Sequence, residues 1–501
     1  MESLIHALLG LDIGTSGAKA VLVDEGGKLL AWAGQEYPID IPQPNWAEQD
    51  PSAWLQAALA TIRQVLLTSQ VEPGQVEAIG LTGQMHSLVC LDVHGSPLRP
   101  AILWADRRSR AQALELTQRI GRERLAAWTG NPLATGFMLA SWAWLCQYEH
   151  ETFKATRHLL LPKDEVRFRL TGEIGTEPSD ASSTLLFDPH AREWSQPLLD
   201  LIGLSTRRLP EVFESAAIAG KLLPEMAASC GLLAGTPLVF GCSDQTAQAL
   251  SQGVVQPGQV SVTIGTGGQL FAPLPLPVHD PELRLHLFCH ALPEVWHLEA
   301  AILSAGLALR WLRDQFWLGN NYAQLADAAA GVEAATDGLF FLPHLAGERT
   351  PYMDSKVRAA FFGMSLNHNR AHLVRAVMEG VVFALRQGLD LMQALGVPLG
   401  RLVASGGATR HPLWLQLQAD IFDQPIFVSP QQEATGRGAA LLAGIGCGIY
   451  RDVPHAINRT VELSGQTAIQ PQSENVARYA RAYRQYCQFY PVLKSAGFAD
   501  R

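Results

Sequence analysis

Twice in this chain an apolar run ends on Ile-Gly-Thr and a second strand-like run follows at once. Residues 7–13 stop at Gly14-Thr15-Ser16-Gly17 and resume over 18–23; residues 259–264 stop at Gly265-Thr266-Gly267-Gly268 and resume over 269–272. Ile13 and Ile264 lie 251 residues apart in a chain of 501. Two strand–turn–strand units half a chain apart predict two domains of one architecture facing each other across a cleft. The alternative is coincidence, since short strands ending in Gly-Thr are common. The length is about three times a typical domain of ~150 residues, room for two large domains or three smaller ones. The stretch 252–259, with Pro257, Gly253 and Gly258, is the expected boundary, dividing 1–253 from 254–501.

Between the two turns, helical and strand segments alternate. Asp50 and Pro51 read as the cap and first position of a helix over 52–67. Strands are expected at 28–37, 76–81, 88–91, 238–241 and 401–404. Helices are expected at 142–148, 165–170, 245–253, 370–395, 412–422, 436–444 and 474–490. The aromatic face of Trp142, Trp144 and Tyr148 reads as core. The alternation predicts an α/β class with sheets covered by helices.

Composition narrows the function. Apolar residues make up 48% and charged residues 17%, enough for a buried core. The net charge is −9 and no long basic run occurs, which argues against a nucleic-acid partner. Seven scattered cysteines without a CxxC pair suggest neither a disulfide framework nor a zinc ribbon. The N-terminus has no basic leader, and apolar stretches such as 300–309 are too short to span a bilayer. A cytoplasmic protein with no membrane partner is expected; a homodimer stays open.

Several patterns fail on context. No GxxxxGK[ST] occurs, and the glycines from Gly444 to Gly448 follow a helix, not a strand, so no dinucleotide fingerprint is read. His286, Cys289 and His290 have spacing that zinc tolerates but lack a second ligand pair. His368 and His372 lack the Glu of a metalloprotease motif and read as a helix start.

Other residues carry chemistry. The two glycine turns expose N–H groups able to cradle phosphate oxygens, although each also reads as a plain hairpin turn. Asp12 places a carboxylate before the first turn, where it could hold magnesium through water. Asp244 falls where a strand gives way to a helix. There a carboxylate either caps the helix or serves as a general base at the mouth of the sheet. Gln84-Met85-His86 follows strand 76–81 in the same way, offering polar groups for polyol oxygens and an apolar wall.

Taken in order, the segments LDIGTSGAKAVL, NWAEQDP, GQMHSLVCLD, RPAILWADRR, LLPKDEVRFRLTGE, GCSDQTAQAL, SVTIGTGG, FCHALP, FLPHLAGERTP, FFGMSLNHNRAHLVRAVMEGV, ASGGATRHPLWLQLQAD and GRGAALLAG resemble the FGGY carbohydrate kinases, most nearly their xylulokinase branch. The resemblance implies two actin-like (ribonuclease H-like) ATPase domains around a central cleft, with ATP and sugar meeting between them. It implies phosphorylation of a ketopentose, D-xylulose first, with D-ribulose, L-xylulose or gluconate as alternatives and ATP and Mg2+ as cofactors. Carried over by position, Asp244 is the catalytic base, Met85 and His86 the sugar-binding pair beside Gln84, and Gln245 a further sugar contact. Trp46 and Arg107 line the sugar pocket. Gly14, Thr15 and Ser16 form the first phosphate loop with Asp12 near the metal, and Gly265, Thr266 and Gly267 the second. Gly406, Gly407 and Ala408 lie beside adenosine, with Gly436 and Gly438 in the second interdomain connection. Three positions depart from the pattern: Gln245 stands where Asn is usual, Ser141 where Lys is usual, and the second loop reads GTGG for GTSG. The first touches the identity of the sugar.

Overall fold

The computed structural model describes residues 6–317, 319–461 and 468–497. Two six-stranded paths carry the fold. The first uses β1 (Ala7–Ile13), β2 (Gly17–Asp24), β3 (Leu29–Glu36), β4 (Val76–Gly83), β5 (Ile218–Lys221) and β6 (Pro237–Val239). Its order is β5-β6-β4-β1-β2-β3, and Cys242–Ser243 adds a short pairing on β4. The second uses β7 (Gly258–Ile264), β8 (Gly268–Leu274), β9 (His286–Cys289), β10 (Trp296–Ile302), β11 (Leu399–Ser405) and β12 (Ile426–Val428), ordered β9-β10-β8-β7-β11-β12.

The shared topology is plain once the edges are set aside. β3-β2-β1 and β10-β8-β7 are antiparallel meanders, and the first strand of each then pairs in parallel with a later strand, β4 or β11. A second parallel strand, β6 or β12, completes each unit. The repeated Gly-Thr turn therefore marks a repeated architecture, the actin-like arrangement that the resemblance implied.

β1 is apolar on both faces, as a strand covered on both sides must be. Leu9 and Leu11 pack with Trp54, Ala58 and Ile62 of the Pro51–Ser69 helix, while Leu8 packs with Ala440 and Leu442 of the Ala434–Gly446 helix. That second helix lies in the half assigned by sequence to 254–501, yet it returns to cover the first sheet. It also meets the Asp244–Ser251 helix so closely that a Cβ on Gly438 would fall 1.8 Å from Ala247 O. Only glycine permits that approach.

The second sheet packs against the Arg370–Ala394 helix, whose cap Asn369 accepts from Ala371 N at 3.0 Å and pairs reciprocally with His372. The expected helix start at His368 and His372 is therefore present. Ser473–Ser495 forms the tail helix, and its Tyr479 and Tyr486 are buried in the core of the second half. Trp142 and Trp144 are core residues; Tyr148 is exposed and stacks on Trp144. Among the described residues no helix is long and apolar enough to cross a membrane.

Candidate active site

Three parallel segments of the first sheet end on one register line. Ile13 pairs with Gly83, and Gly83 pairs with Ser243. Gly14, Gln84 and Asp244 therefore emerge side by side, from strands about 4.8 Å apart, at the carboxyl edge where open α/β sheets take ligands. The expected strand over 238–241 is broken to achieve this. β6 stops at Val239, and Gly241 turns the chain at φ 83°, where a Cβ would meet Leu81 O at 1.9 Å.

Asp244 is the first residue of its helix. Ser243 holds the cap position without a side-chain cap bond, so the Asp244 carboxylate is not consumed as a helix cap. Its Oδ1 is buried without a hydrogen-bond partner, although the residue keeps a partly open side. Burial, then the negative fields of Asp12 and Glu299, push its pKa up to about 8. Gln245, half-buried beside it, offsets this only partly.

Asp12 closes β1. Its Oδ2 accepts from Thr435 Oγ1 at 2.6 Å, while Oδ1 is buried and unpartnered. Burial raises its pKa to about 6. Among the described residues no group of three His, Cys, Asp or Glu side chains forms a metal cage. A single orphaned carboxylate oxygen beside a phosphate-type turn suits a hard divalent cation that draws its other ligands from water and phosphate.

The first turn is held from below. Tyr37 donates to Gly14 O at 2.5 Å, Gln49 Nε2 to Thr15 O at 2.7 Å, and Trp104 Nε1 to Thr15 Oγ1 at 2.8 Å. Gln84 belongs to this support. It is 2% exposed, its Nε2 donates to Gln49 Oε1 at 3.1 Å, and its Oε1 accepts from Thr15 Oγ1 at 3.4 Å. A buried amide needs such partners, so Gln84 braces the loop where a direct sugar contact was expected.

Met85 is buried against Phe137, and His86 sits at φ 69° with its ring 4.4 Å from that of Phe137. His86 Nδ1 lies 2.7 Å from Ser183 O, and burial keeps the ring neutral, with its pKa down to about 3. Nδ1–H therefore donates to the carbonyl and leaves Nε2 as an acceptor. Trp46 is taken up in a wall, with the Arg108 guanidinium 3.6 Å over its ring and Trp144 edge-on at 5.3 Å. Arg107 is exposed and tied by its backbone to Asn45 O. Two further residues were not singled out from sequence. Glu299 on β10 is buried with its pKa up to about 7, and the Arg349 guanidinium opposes that rise. Glu299 sits in no motif, whereas Arg349 lies inside the FLPHLAGERTP segment.

The second sheet repeats the register line: Thr263 pairs with Ser405, and their hydroxyls lie 2.8 Å apart. The turn at Gly265, Thr266 and Gly267 follows one strand, and Gly406, Gly407 and Ala408 follow the other. Thr266 O accepts from Ala305 and Leu307 N–H groups, which seats the turn on the start of the Gly306–Phe316 helix. Arg310 donates to Thr266 Oγ1 at 3.0 Å. An apolar cavity of about 550 Å³ opens beside them, lined among others by Leu309, Tyr322, Gly407, Ala408 and Trp414. Its size suits one organic ligand. Gln248, on the Asp244 helix, donates to Thr263 Oγ1 at 2.6 Å and joins the two edges.

Residues 7–251 match the N-terminal domain of the FGGY family of carbohydrate kinases, and residues 260–447 match its C-terminal domain. The chain is 36% identical to a xylulose kinase of Escherichia coli over 97% of this chain and 99% of that one. It is 34% identical to a xylulose kinase of Bacillus subtilis over 98% of each. The crystal structure of a xylulose kinase from Rhodospirillum rubrum superposes with a TM-score of 0.91 at 29% identity, covering 99% of this chain and all of that one (100%). Two matched domains and full-length relatives above 30% identity agree with the paired edges, and the chain belongs to the FGGY family of carbohydrate kinases, enzymes that transfer phosphate to an alcohol group of a sugar.

Proposed function

We propose that this kinase phosphorylates the terminal hydroxyl of D-xylulose with ATP and Mg2+, giving xylulose 5-phosphate. The observation that carries the reading is Asp244: a half-buried carboxylate with an unpartnered oxygen, raised pKa, and a place beside the first glycine turn. Asp244 takes the hydroxyl proton as that oxygen attacks the terminal phosphorus in line. A base with a pKa near the working pH suits this task.

The relatives' names support the sugar. Met85 and His86 orient it, with His86 Nε2 accepting from a hydroxyl, and Gln245 is its neighbour on the base helix; Trp46 and Arg107 shape the outer wall. Gly14, Thr15 and Ser16 present N–H groups to one side of the phosphates, and Gly265, Thr266 and Gly267 to the other. Gly406, Gly407 and Ala408 border the cavity that takes the nucleoside. Asp12 holds the metal, which when bound would offset phosphate charge. In this reading 1–253 is the sugar half and 254–501 the nucleotide half, with the Ala434–Gly446 helix reaching back across the division. The seven unpaired cysteines fit a reducing, cytoplasmic setting.

The test is ADP release with D-xylulose, L-xylulose, D-ribulose, gluconate and glycerol. D-Xylulose is expected to give the highest kcat/KM. If no polyol stimulates ATP turnover, the reading fails.

A further inference from the structure

Behind the Asp244 edge lies a polar cluster that neither the sugar nor the phosphates touch in the reading above. Lys163, Glu177 and Ser179 are all fully buried. Lys163 Nζ lies 2.9 Å from Asp164 Oδ1, 3.3 Å from Asp180 Oδ2 and 3.6 Å from Glu177 Oε1. Glu177 accepts from Ser179 N at 2.8 Å, Asp180 N at 2.9 Å, Ser179 Oγ at 2.8 Å and Ser215 Oγ at 2.9 Å. Taking so many charges out of water is costly unless each is paired, and a buried ion cluster often stabilises no more than an apolar packing would. Its arrangement points to a use in placing something.

What it grips is the link 240–243, the irregular segment between β6 and Asp244. Lys163 Nζ donates to Phe240 O at 3.2 Å, and Ser215 O accepts from Gly241 N at 2.9 Å. Ser179 Oγ accepts from Ser243 N at 2.9 Å. The three holders, Lys163, Ser215 and Ser179, all converge on Glu177. Because Gly241 breaks the strand, the link keeps only a short pairing on β4, Cys242 with Thr82 and Ser243 with Gly83, and the side chains of Lys163 and Ser179 add to its hold on the backbone.

The Pro178–Ser183 helix that carries Ser179 also reaches two other parts of the site. Ser183 O fixes His86 Nδ1, and Ser182 Oγ accepts from Cys289 N on β9 at 3.0 Å. One short helix thus touches the base link, the sugar-side histidine and the second half.

We infer that Ser179 is a positioning residue for Asp244, the outer member of a buried Lys163–Glu177–Ser179 clamp that sets the link 240–243. The inference rests on Asp244 being the base. With the hydroxyl removed, the buried Ser243 N–H loses its acceptor and the start of the Asp244 helix is free to shift. A displacement near 1 Å at a reacting group costs up to about 100-fold in rate.

The experiment compares Ser179→Ala, Ser179→Cys, Asp244→Asn and Thr61→Ala by steady-state kinetics and Tm. Thr61 is a buried hydroxyl in the Pro51–Ser69 helix, bonded to Ala57 O at 2.9 Å and to no residue of the link or the clamp, and serves as the control for simple loss of stability. Ser179→Ala is expected to lower kcat on the order of 10- to 100-fold with KM for sugar and ATP within about twofold. Ser179→Cys, which keeps the volume and a weak acceptor, should fall between Ala and wild type and serves alone if the alanine variant does not fold. A kcat within twofold of wild type for both Ser179 variants, beside an inactive Asp244→Asn, would overturn the clamp and leave the base standing. An equal loss of kcat in Thr61→Ala at matched loss of Tm would reduce Ser179 to a stabilising role and also overturn it. Wild-type kcat in Asp244→Asn would remove the base itself, and the clamp with it.

Discussion

The carboxyl edges of the two sheets share a register and a Gly-Thr turn, and they differ in their charged side chains. At the first edge, Asp12 precedes the turn, Gln84 follows the middle strand and Asp244 the third. At the second, Thr263 stands in the place of Asp12 and Gly407 in the place of Gln84. The first edge is therefore rich in carboxylates held in low dielectric, with raised pKa values. The second offers glycine backbone, a neutral hydroxyl pair and an apolar cavity. One topology supports both because the backbone supplies only the row of strand ends; the chemistry enters through what is attached there. Proton abstraction needs a charged, poised group, whereas binding a polyanion and an aromatic base needs N–H donors and apolar surface.

Removing the charged group that the second edge lacks is the strongest test of this contrast. Asp244→Asn should lower kcat by about 10²–10⁴-fold, the usual contribution of a general base, while calorimetry finds ATP and sugar binding largely intact. Making the first edge read like the second comes next. Asp12→Thr should cost on the order of 100-fold in turnover and shift half-saturation by Mg2+ upward in a metal titration. The reverse intrusion concerns the apolar side. A Cβ on Gly407 meets nothing within 4 Å and Gly407 lines the cavity, so Gly407→Val should fold normally. It should raise KM for ATP about tenfold, equivalent to ~1.4 kcal/mol, with sugar KM unchanged.

The smallest effect is on stability. Asp12 and Asp244 titrate near 6 and 8 in the folded protein but near 3.8 when solvated. Above about pH 6.5, where the buried histidines are neutral in both states, Asp244 keeps a proton in the folded, unliganded protein that the unfolded chain has lost, and this contribution to stability falls as pH rises to about 8. Tm measured without ligands should decline across this window, and the decline should shrink in Asp244→Asn. An unchanged slope in that variant would place the titration elsewhere.

Much of the scaffold was legible because its signals are local. Asp50 accepts from Ser52 N at 2.9 Å, as its position before Pro51 suggested, and the 412–422 helix was read at its observed ends. The glycine turns were found because hairpin geometry restricts the residues that can occupy them. Residues acting through distant contacts were not. Thr435 reaches Asp12 across 423 positions, and the motif beginning at Gly436 beside it gives no sign of that partner. Ser179 looks like an ordinary helix-start serine until Ser243 is seen beside it. The bracing contact of Gln84 was hidden for the same reason, since its partner Gln49 lies 35 residues away. The placement of the Ala434–Gly446 helix against the first sheet also depends on which distant glycines face each other.

The sequence by itself determined the duplicated strand–turn–strand plan, the α/β class and the family, because periodicity, turn chemistry and ordered motifs are properties of neighbouring residues. Local context left Asp244 open between cap and base, and the family resemblance assigned it the base. Tertiary structure supplied its surroundings. Ser243 takes the cap position, Asp12 and Glu299 raise the pKa of Asp244, and a buried clamp holds its backbone. Desolvation and charge coupling depend on distance through space, and only folding brings residues 12, 179, 244 and 299 within reach of one another.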